Sequence, residues 1–139
     1  PEVAFLDIKA AYDSVDREIL YAKLAKAGVP DDIVGVVRAL SEGNRSRVCV
    51  SGKLSPAFEH AAGVMQGSLI SPLLYSVFID DLALLLRQSG TIKLNGELVG
   101  GLFYADDIAI VAENPEQLQR MLNLCEAHSL ANRYRFNVQ

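Results

Sequence analysis

The sequence predicts an α+β domain in which helices cover one face of an antiparallel sheet. Three observations indicate this class. Strand-like and helix-like segments are mixed along the chain, in the order strand, helices, strands, helix, hairpins, helix and strand. Asn95-Gly96 lies between two strand-like segments, and this dipeptide is a strong signal for a hairpin. The 139 residues, half of them hydrophobic, suffice for one domain with a single core.

The first half of the chain predicts a buried strand, two helices and two further strands. The segment VAFLDI is the strand, because its apolar run ends within six residues. Asp16 is the predicted N-cap of the first helix, and Gly28 ends that helix. The predicted elements are a strand over 3–8, helices over 17–27 and 32–41, and strands over 45–50 and 57–60.

The second half predicts a long helix, two hairpins, another helix and a last strand. Ser71 is the predicted cap of the long helix, with Pro72 at its first position. Asn114-Pro115 starts the second helix by the same logic. The predicted elements are a helix over 72–87, a hairpin over 91–101, a hairpin over 98–114, a helix over 115–132 and a strand over 135–138.

Composition limits the classes of function. No apolar run reaches the roughly 18 residues of a membrane span, and the start of the chain carries no leader peptide, so we expect an intracellular protein without a membrane partner. Cys49 and Cys125 are predicted to be buried, reduced thiols, and two histidines are too few for a Cys/His zinc site. The net charge of −4 does not indicate nucleic-acid binding by itself.

Two adjacent carboxylates, Asp106 and Asp107, interrupt the apolar segment LVGGLFYADDIAIVAEN. The first strand and this hairpin are the most apolar strand candidates, so we expect both to lie centrally, with Asp7 close to the aspartate pair. Converging carboxylates repel one another, and a Mg²⁺ ion relieves that repulsion. Such a site would suit phosphoryl transfer. The alternative is a solvated turn, in which aspartate is common.

Three segments occur in an order that resembles reverse transcriptases. FLDIKAAYDSVD (5–16) resembles their first catalytic motif, GVMQGSLISPLLYSVFIDDL (63–82) the second, and FYADDIAIV (103–111) the third, the YxDD hairpin. SLANRYRFNVQ (129–139) resembles the approach to a fourth motif. A lone YADD would be weak evidence for this family, but three motifs in the family's order are strong evidence. The resemblance spans residues 3–139.

The resemblance implies a two-metal polymerase site. It assigns Asp7, Asp106 and Asp107 as catalytic carboxylates. Asp7 and Asp106 would hold two Mg²⁺ ions, with Mn²⁺ as an alternative ion, while Asp107 would be the less direct metal ligand. The carbonyl of Ile8 would add a further ligand to the metal.

The resemblance also assigns residues that would bind substrate. Tyr12 would lie under the incoming sugar, where a rigid ring fills the volume that a 2′-hydroxyl needs, and Ala11 would lie beside it. Gln66 and Gly67 would lie against the nascent base pair, since glycine permits close backbone approach. The alternatives are a packed tyrosine at a helix start and an ordinary loop before a capped helix.

The whole chain would then be the palm and part of the fingers of a polymerase, with a ferredoxin-like core. Its ends, Pro1 and RFNVQ, predict a fragment with upstream fingers and a downstream thumb outside it, inactive by itself. The implied partners are an RNA template, a DNA primer, dNTPs and the rest of a parent polyprotein. The activity would be RNA-directed DNA polymerisation.

Several members of that family remain open. YADD and the SPLLY segment are most similar to non-LTR retrotransposon enzymes, which implies a nuclear location. A group II intron maturase comes second and a bacterial retron-like enzyme third. Tyr12 stands where many non-LTR and group II intron enzymes have Phe, a departure that leaves the implied gate function intact. An inactive scaffold that binds RNA or protein, or an RNA-dependent RNA polymerase, would be an alternative function.

For the remaining charged residues we expect structural roles or exposure to solvent. Asp80-Asp81 is predicted to be a solvated or structural pair on a helix, and Asp13 and Asp16 to form hydrogen bonds at a helix start. Five cations could contact template phosphates or line a solvated face. They are Arg45, Arg47, Lys53, Arg133 and Arg135.

Overall fold

The computed structural model describes residues 1–90 and 92–137, and in that part it shows an α+β fold. The helices are α1 (Arg17–Lys26), α2 (Asp31–Ser41), α3 (Ser71–Ser89) and α4 (Pro115–Asn132). The strands are β1 (Glu2–Asp7), β2 (Arg45–Ser46), β3 (Cys49–Val50), β4 (Lys53–Leu54), β5 (Phe58–Glu59), β6 (Ile92–Leu94), β7 (Glu97–Val99), β8 (Gly101–Tyr104) and β9 (Asp107–Ala112). None of these helices combines the length and the hydropathy needed to cross a bilayer.

The main sheet is antiparallel, with the strand order β1–β9–β8. Leu6 lies opposite Ile108 in the β1–β9 ladder. The predicted central position is therefore confirmed for β9, whereas β1 lies at an edge of the described sheet, because the partner on its other side is reduced to one bridge between Ile8 and Phe136. That bridge lies in the strand predicted over 135–138, of which Val138 is outside the described residues.

Helices cover one face of this sheet, as predicted. Alternation along β9 buries Ile108, Ile110 and Ala112, and helices α3 and α4 pack on the main sheet. The opposite face bears Phe5 and Tyr104, each 84% exposed. The register that buries one face therefore turns the odd-numbered positions of β1, including Asp7, towards the open side.

Helix termini follow the sequence signals with one exception. The Asp16 side chain accepts a hydrogen bond from the Ile19 amide at 3.1 Å, and Asn114 caps α4 through the Gln117 amide at 2.9 Å. The predicted Ser71 cap of α3 is wrong. Ser71 is the first helical residue, and its hydroxyl donates to the Met65 carbonyl at 2.6 Å, so it ties the preceding loop to the helix instead.

The middle of the chain forms short hairpins rather than two strands. Strand β3 pairs with β4, and β2 pairs with β5, because Ser51 and Gly52 both take positive φ and turn the chain sharply. The hairpin predicted around Asn95-Gly96 is confirmed as β6–β7. Cys125 is buried as predicted, but the prediction of a buried Cys49 is wrong, because this strand region has no layer above it and leaves Cys49 exposed.

Candidate active site

Two neighbouring strands bring the predicted catalytic aspartates together. Asp7 ends β1 and lies directly opposite Asp107, the first residue of β9. Tyr104 also pairs with Asp107, so Ala105 and Asp106 alone form the turn between β8 and β9. Ala105 takes a φ of 53°, a left-handed conformation that costs about 1–2 kcal/mol in a residue with a side chain. The turn is therefore held in place by the ladders on both sides of it.

The three carboxylates have few partners in the protein. The Asn137 amide donates to Asp7 Oδ2 at 2.5 Å, and the Asn137 backbone N–H donates to the Asp7 carbonyl at 2.8 Å. Within the described residues, neither Asp106 nor Asp107 forms a side-chain hydrogen bond or an ion pair. These acids are exposed or half-exposed, so water can solvate them in the absence of a cation.

The donor set fits a divalent ion that is completed by substrate. No three His, Cys, Asp or Glu side chains in the described part of the chain are grouped so that they could hold a metal ion by themselves. Mg²⁺ in phosphoryl-transfer sites is usually held by one or two carboxylates together with substrate phosphates. The β1–β9 register places Asp7 opposite Asp107, next to the turn that carries Asp106, so two carboxylates are available for such an ion. The ligand roles of Asp7, Asp106 and Asp107 and of the Ile8 carbonyl all stay predictions.

Tyr12 lies in the loop after β1 and packs against α3. Its ring is half-buried and stacks on Tyr75, with ring centroids 5.1 Å apart and ring planes 13° apart. Its carbonyl accepts a hydrogen bond from the Val64 amide at 2.9 Å. Ala11 is buried beside it, 4% exposed. The loop after β1 thus holds the predicted sugar gate through backbone and ring contacts.

Gln66 is anchored by Asp13, an acid for which the sequence had indicated a different role. The Gln66 amide nitrogen donates to both carboxylate oxygens of Asp13, at 3.1 and 3.2 Å. The prediction that Asp13 forms hydrogen bonds at a helix start is therefore wrong, whereas the same prediction for Asp16 is confirmed. Gly67 has a φ of +82° and open space where a Cβ would lie, which leaves its backbone accessible.

Close contacts join the loop after β1 to the loop before α3. A Cβ on Gly63 would lie 2.9 Å from the Asp13 Cα, so only glycine fits there. Arg17 donates hydrogen bonds to the carbonyls of His60, Ala62 and Gly63 at 2.9 to 3.2 Å. Sequence reasoning missed this arginine, because carbonyls more than forty positions away leave no local signal.

A cavity of about 550 Å³ adjoins these loops and is separate from the aspartate turn. Its lining includes Asp13, Arg17, Gln66 and Arg45. Arg45 is neutralised by Glu59 at 2.7 Å. The cavity therefore offers polar groups of both signs and little net positive charge.

Two of the five predicted cations, Arg45 and Arg133, pair with carboxylates of the chain. Arg133 pairs with Asp16 at 3.0 Å and takes the left-handed conformation that ends α4. Arg47, Lys53 and Arg135 are exposed. Contacts of these residues with template phosphates stay a prediction, and the solvated-face alternative remains open.

Asp81 belongs to a different, structural network. It accepts hydrogen bonds from Lys23 Nζ and His128 Nε2, both at 2.8 Å. The other ring nitrogen of His128 lies 2.9 Å from the Tyr134 hydroxyl. Burial raises the pKa of Asp81, but the bonds from His128 and Lys23 outweigh it and lower that pKa to about 2. The structural interpretation of Asp81 is confirmed, and Asp80 is exposed beside it.

Comparison with known proteins gives one consistent result. The family described as "Reverse transcriptase (RNA-dependent DNA polymerase)" matches residues 2–139. The chain is 36% identical over 88% of its length to the RNA-directed DNA polymerase from mobile element jockey of Drosophila melanogaster. It is 30% identical over 90% of its length to the Pol polyprotein of the type-1 retrotransposable element R2 of Nasonia vitripennis. It spans only 13% and 12% of these two relatives.

A solved structure shows the same fold. The chain superposes on apo telomerase from Candida tropicalis with a TM-score of 0.69, at 18% sequence identity. The superposition covers 97% of this chain and 28% of the telomerase chain. At that identity the likeness supports the fold of the polymerase palm and nothing about substrate.

Proposed function

The chain belongs to the reverse transcriptase family, and on that premise we propose that the protein containing it is an RNA-directed DNA polymerase of a non-LTR retrotransposon. The reaction would add dNTPs to the 3′-hydroxyl of a primer under the direction of an RNA template. The observation that carries the proposal is the antiparallel register that places Asp7 opposite Asp107, with Asp106 in the adjoining turn.

The family and its relatives support this proposal. Reverse transcriptases as a family use divalent metal ions, and the relatives named above are RNA-directed DNA polymerases or parts of Pol polyproteins from mobile elements. Because the chain spans about an eighth of those proteins, their activity and partners are proposed for this protein by likeness. The palm-and-fingers extent, a parent polyprotein and a nuclear location belong to the same proposal.

Asp7 and Asp106 would hold two Mg²⁺ ions against the triphosphate. When bound there, the ions would activate the primer hydroxyl and stabilise the charge on the departing pyrophosphate. The contribution of this chain is to hold the two carboxylates in position. Strands β1 and β9 fix the two backbones, and the Asn137 amide orients one oxygen of Asp7, so the carboxylates need little rearrangement to bind a cation.

Substrate selection would come from the loops around the aspartates. The Tyr12 ring would exclude a ribose 2′-hydroxyl by volume, which favours dNTPs over the rNTPs of an RNA polymerase. Gln66, with its amide nitrogen held by Asp13, would present its carbonyl oxygen to the nascent base pair. Gly67 would let the template approach the backbone, and Ala11 would support Tyr12 from the core.

The direct test is primer extension by the protein containing this chain, with Asp106→Asn as the variant. We expect the rate of dNTP addition to fall by about two to three orders of magnitude, because the substitution replaces a metal-binding carboxylate with a neutral amide of the same size. Asp80→Asn is the matched control, because Asp80 is an exposed aspartate on α3, and it should extend primers at the wild-type rate.

Two outcomes would contradict the proposal. Extension by Asp106→Asn at the control rate would remove Asp106 from the chemistry. No extension by the wild-type protein on any primed RNA would favour the alternative of an inactive scaffold.

A further inference from the structure

Tyr75 is a buried aromatic residue on α3 that the assignments above leave without a role. Its side chain is only 2% exposed, and its ring stacks on Tyr12, the proposed sugar gate. The ring centroids are 5.1 Å apart and the planes 13° apart, which is a parallel stack. Tyr12 lies in the loop between β1 and α1, so α3 supplies the rigid surface against which this loop side chain rests.

Further aromatic rings, in tilted and edge-to-face contacts, extend from Tyr75 into the core. Tyr75 contacts Phe78 with centroids 6.5 Å apart, and Phe78 meets the edge of Tyr134 at 6.1 Å. Tyr134 in turn meets Phe136 at 5.5 Å, and Phe136 forms the backbone bridge to Ile8 beside the catalytic Asp7. This row of rings therefore anchors Tyr75 in the core on the side away from Tyr12.

The Tyr75 hydroxyl is buried and makes no hydrogen bond within the described residues. Burial raises the pKa of this hydroxyl, and the charges of Asp106, Tyr12 and Asp7 raise it further. The hydroxyl therefore stays protonated near the aspartates, yet nothing in the described protein accepts its proton. The ring is held by its packing and not by a hydrogen bond.

We propose that Tyr75 is a positioning residue for sugar discrimination, acting by fixing the ring plane of Tyr12 through the stack. This inference rests on the proposed polymerase function. Without a flat partner, the Tyr12 ring would gain rotamer freedom and would exclude a 2′-hydroxyl less strictly. The ring of Tyr75 carries this role, and its hydroxyl does not.

The test compares two variants in the protein containing this chain. Tyr75→Phe keeps the ring and should hold the ratio of kcat/KM for dNTP over rNTP within about twofold of wild type. Tyr75→Leu removes the stack and should lower that ratio by about three- to tenfold, the range expected for one aromatic pair. The lower ratio should arise mainly from a smaller KM for rNTP.

Tyr21 provides the matched control. It is also a buried tyrosine, 4% exposed, with a hydroxyl that has no partner among the described residues, but its ring faces Arg38. Tyr21→Leu should lower thermal stability and leave the sugar ratio unchanged. If Tyr75→Leu also leaves the ratio unchanged, or if Tyr21→Leu lowers it equally, the positioning role is wrong.

A double-mutant cycle tests whether Tyr75 acts through Tyr12. In the Tyr12→Val background, Tyr75→Leu should have no further effect on the sugar ratio, whereas independent effects would multiply and contradict the inference. The near-ultraviolet circular dichroism of the stacked rings, recorded without nucleotide, should show the same non-additivity.

If Tyr75→Leu does not fold, Tyr75→Met keeps the volume with an adaptable side chain and replaces it. Absence of any dNTP addition by the wild-type protein would overturn the proposed function. Normal addition with an unchanged ratio would overturn only the role of Tyr75.

Discussion

The chain contains three pairs of adjacent aspartates, and two of them, Asp80-Asp81 on α3 and Asp106-Asp107 at the β8–β9 turn, have opposite surroundings. Asp81, in the first pair, accepts hydrogen bonds from Lys23 and His128 on two other helices. The second pair, Asp106 and Asp107, has no side-chain hydrogen bond or ion pair within the described residues. The protein supplies hydrogen-bond donors to Asp81, the carboxylate that joins its helices. It leaves the carboxylates at the sheet turn for a group from outside the chain.

The elements that carry the two pairs explain the difference. Asp81 lies on α3, which packs against α1 and α4, so hydrogen-bond donors reach it from both neighbours. Asp106 lies in a two-residue turn, and Asp107 lies on the sheet face that no helix covers. A helix packed on both sides supplies partners, whereas a hairpin turn at the end of a sheet exposes its side chains. The aspartate that stabilises the helix packing is thus distinct from those to which we assign metal binding.

The largest effect on stability is expected from Asp81→Asn. An amide carries no charge to balance Lys23, whose side chain is 14% exposed, and it is a weaker acceptor for Nε2 of His128. The free energy of unfolding should therefore fall by about 1–3 kcal/mol. Chemical denaturation of both proteins measures the difference. Asp80→Asn should stay within about 0.5 kcal/mol of wild type. Equal stability of Asp81→Asn and wild type would show that the network does not stabilise the fold.

A smaller effect on the free energy of unfolding is expected when the pH is lowered. The pKa of Asp81 is lowered to about 2 by its hydrogen bonds with His128 and Lys23, against an ordinary value near 3.8. The stabilisation is therefore complete above pH about 4 and is lost as the pH falls towards 2. Its size should not exceed about 1 kcal/mol, because the carboxylate is nearly half exposed and solvent screens it.

Stability measured from pH 5 to pH 2 tests this prediction. Wild type should lose up to about 1 kcal/mol of its stability advantage over Asp81→Asn across that interval. A constant difference between the two proteins would mean that the ion pair is not what Asp81 contributes.

Much of the fold could be predicted from local signals. Asp16 and Asn114 cap their helices, and Asn95-Gly96 turns its hairpin, because each of these effects involves only neighbouring residues. The prediction of a Ser71 cap failed because the helix already begins at Ser71, where the hydroxyl donates to the Met65 carbonyl of the preceding loop. Local chemistry decides a terminus only when no tertiary partner intervenes.

The sequence predicted that the three aspartates of the candidate site lie close together, but not which of them are paired across the sheet. Apolar strands and a carboxylate at each end indicated that Asp7 meets the aspartate pair, yet only the register shows that Asp107 is its direct neighbour. The Gln66–Asp13 bond and the Tyr12–Tyr75 stack join residues 53 and 63 positions apart. Such contacts depend on how α3 packs, which no local pattern specifies.

The central claim is that the unpaired aspartates bind metal whereas the paired one does not. Electron paramagnetic resonance with Mn²⁺ as the probe tests it in the protein containing this chain, bound to primer-template and a non-hydrolysable dNTP analogue. Wild type and Asp81→Asn should bind Mn²⁺ with equal affinity, and Asp106→Asn should bind it at least about tenfold more weakly. Equal Mn²⁺ affinity in Asp106→Asn and wild type would contradict the account.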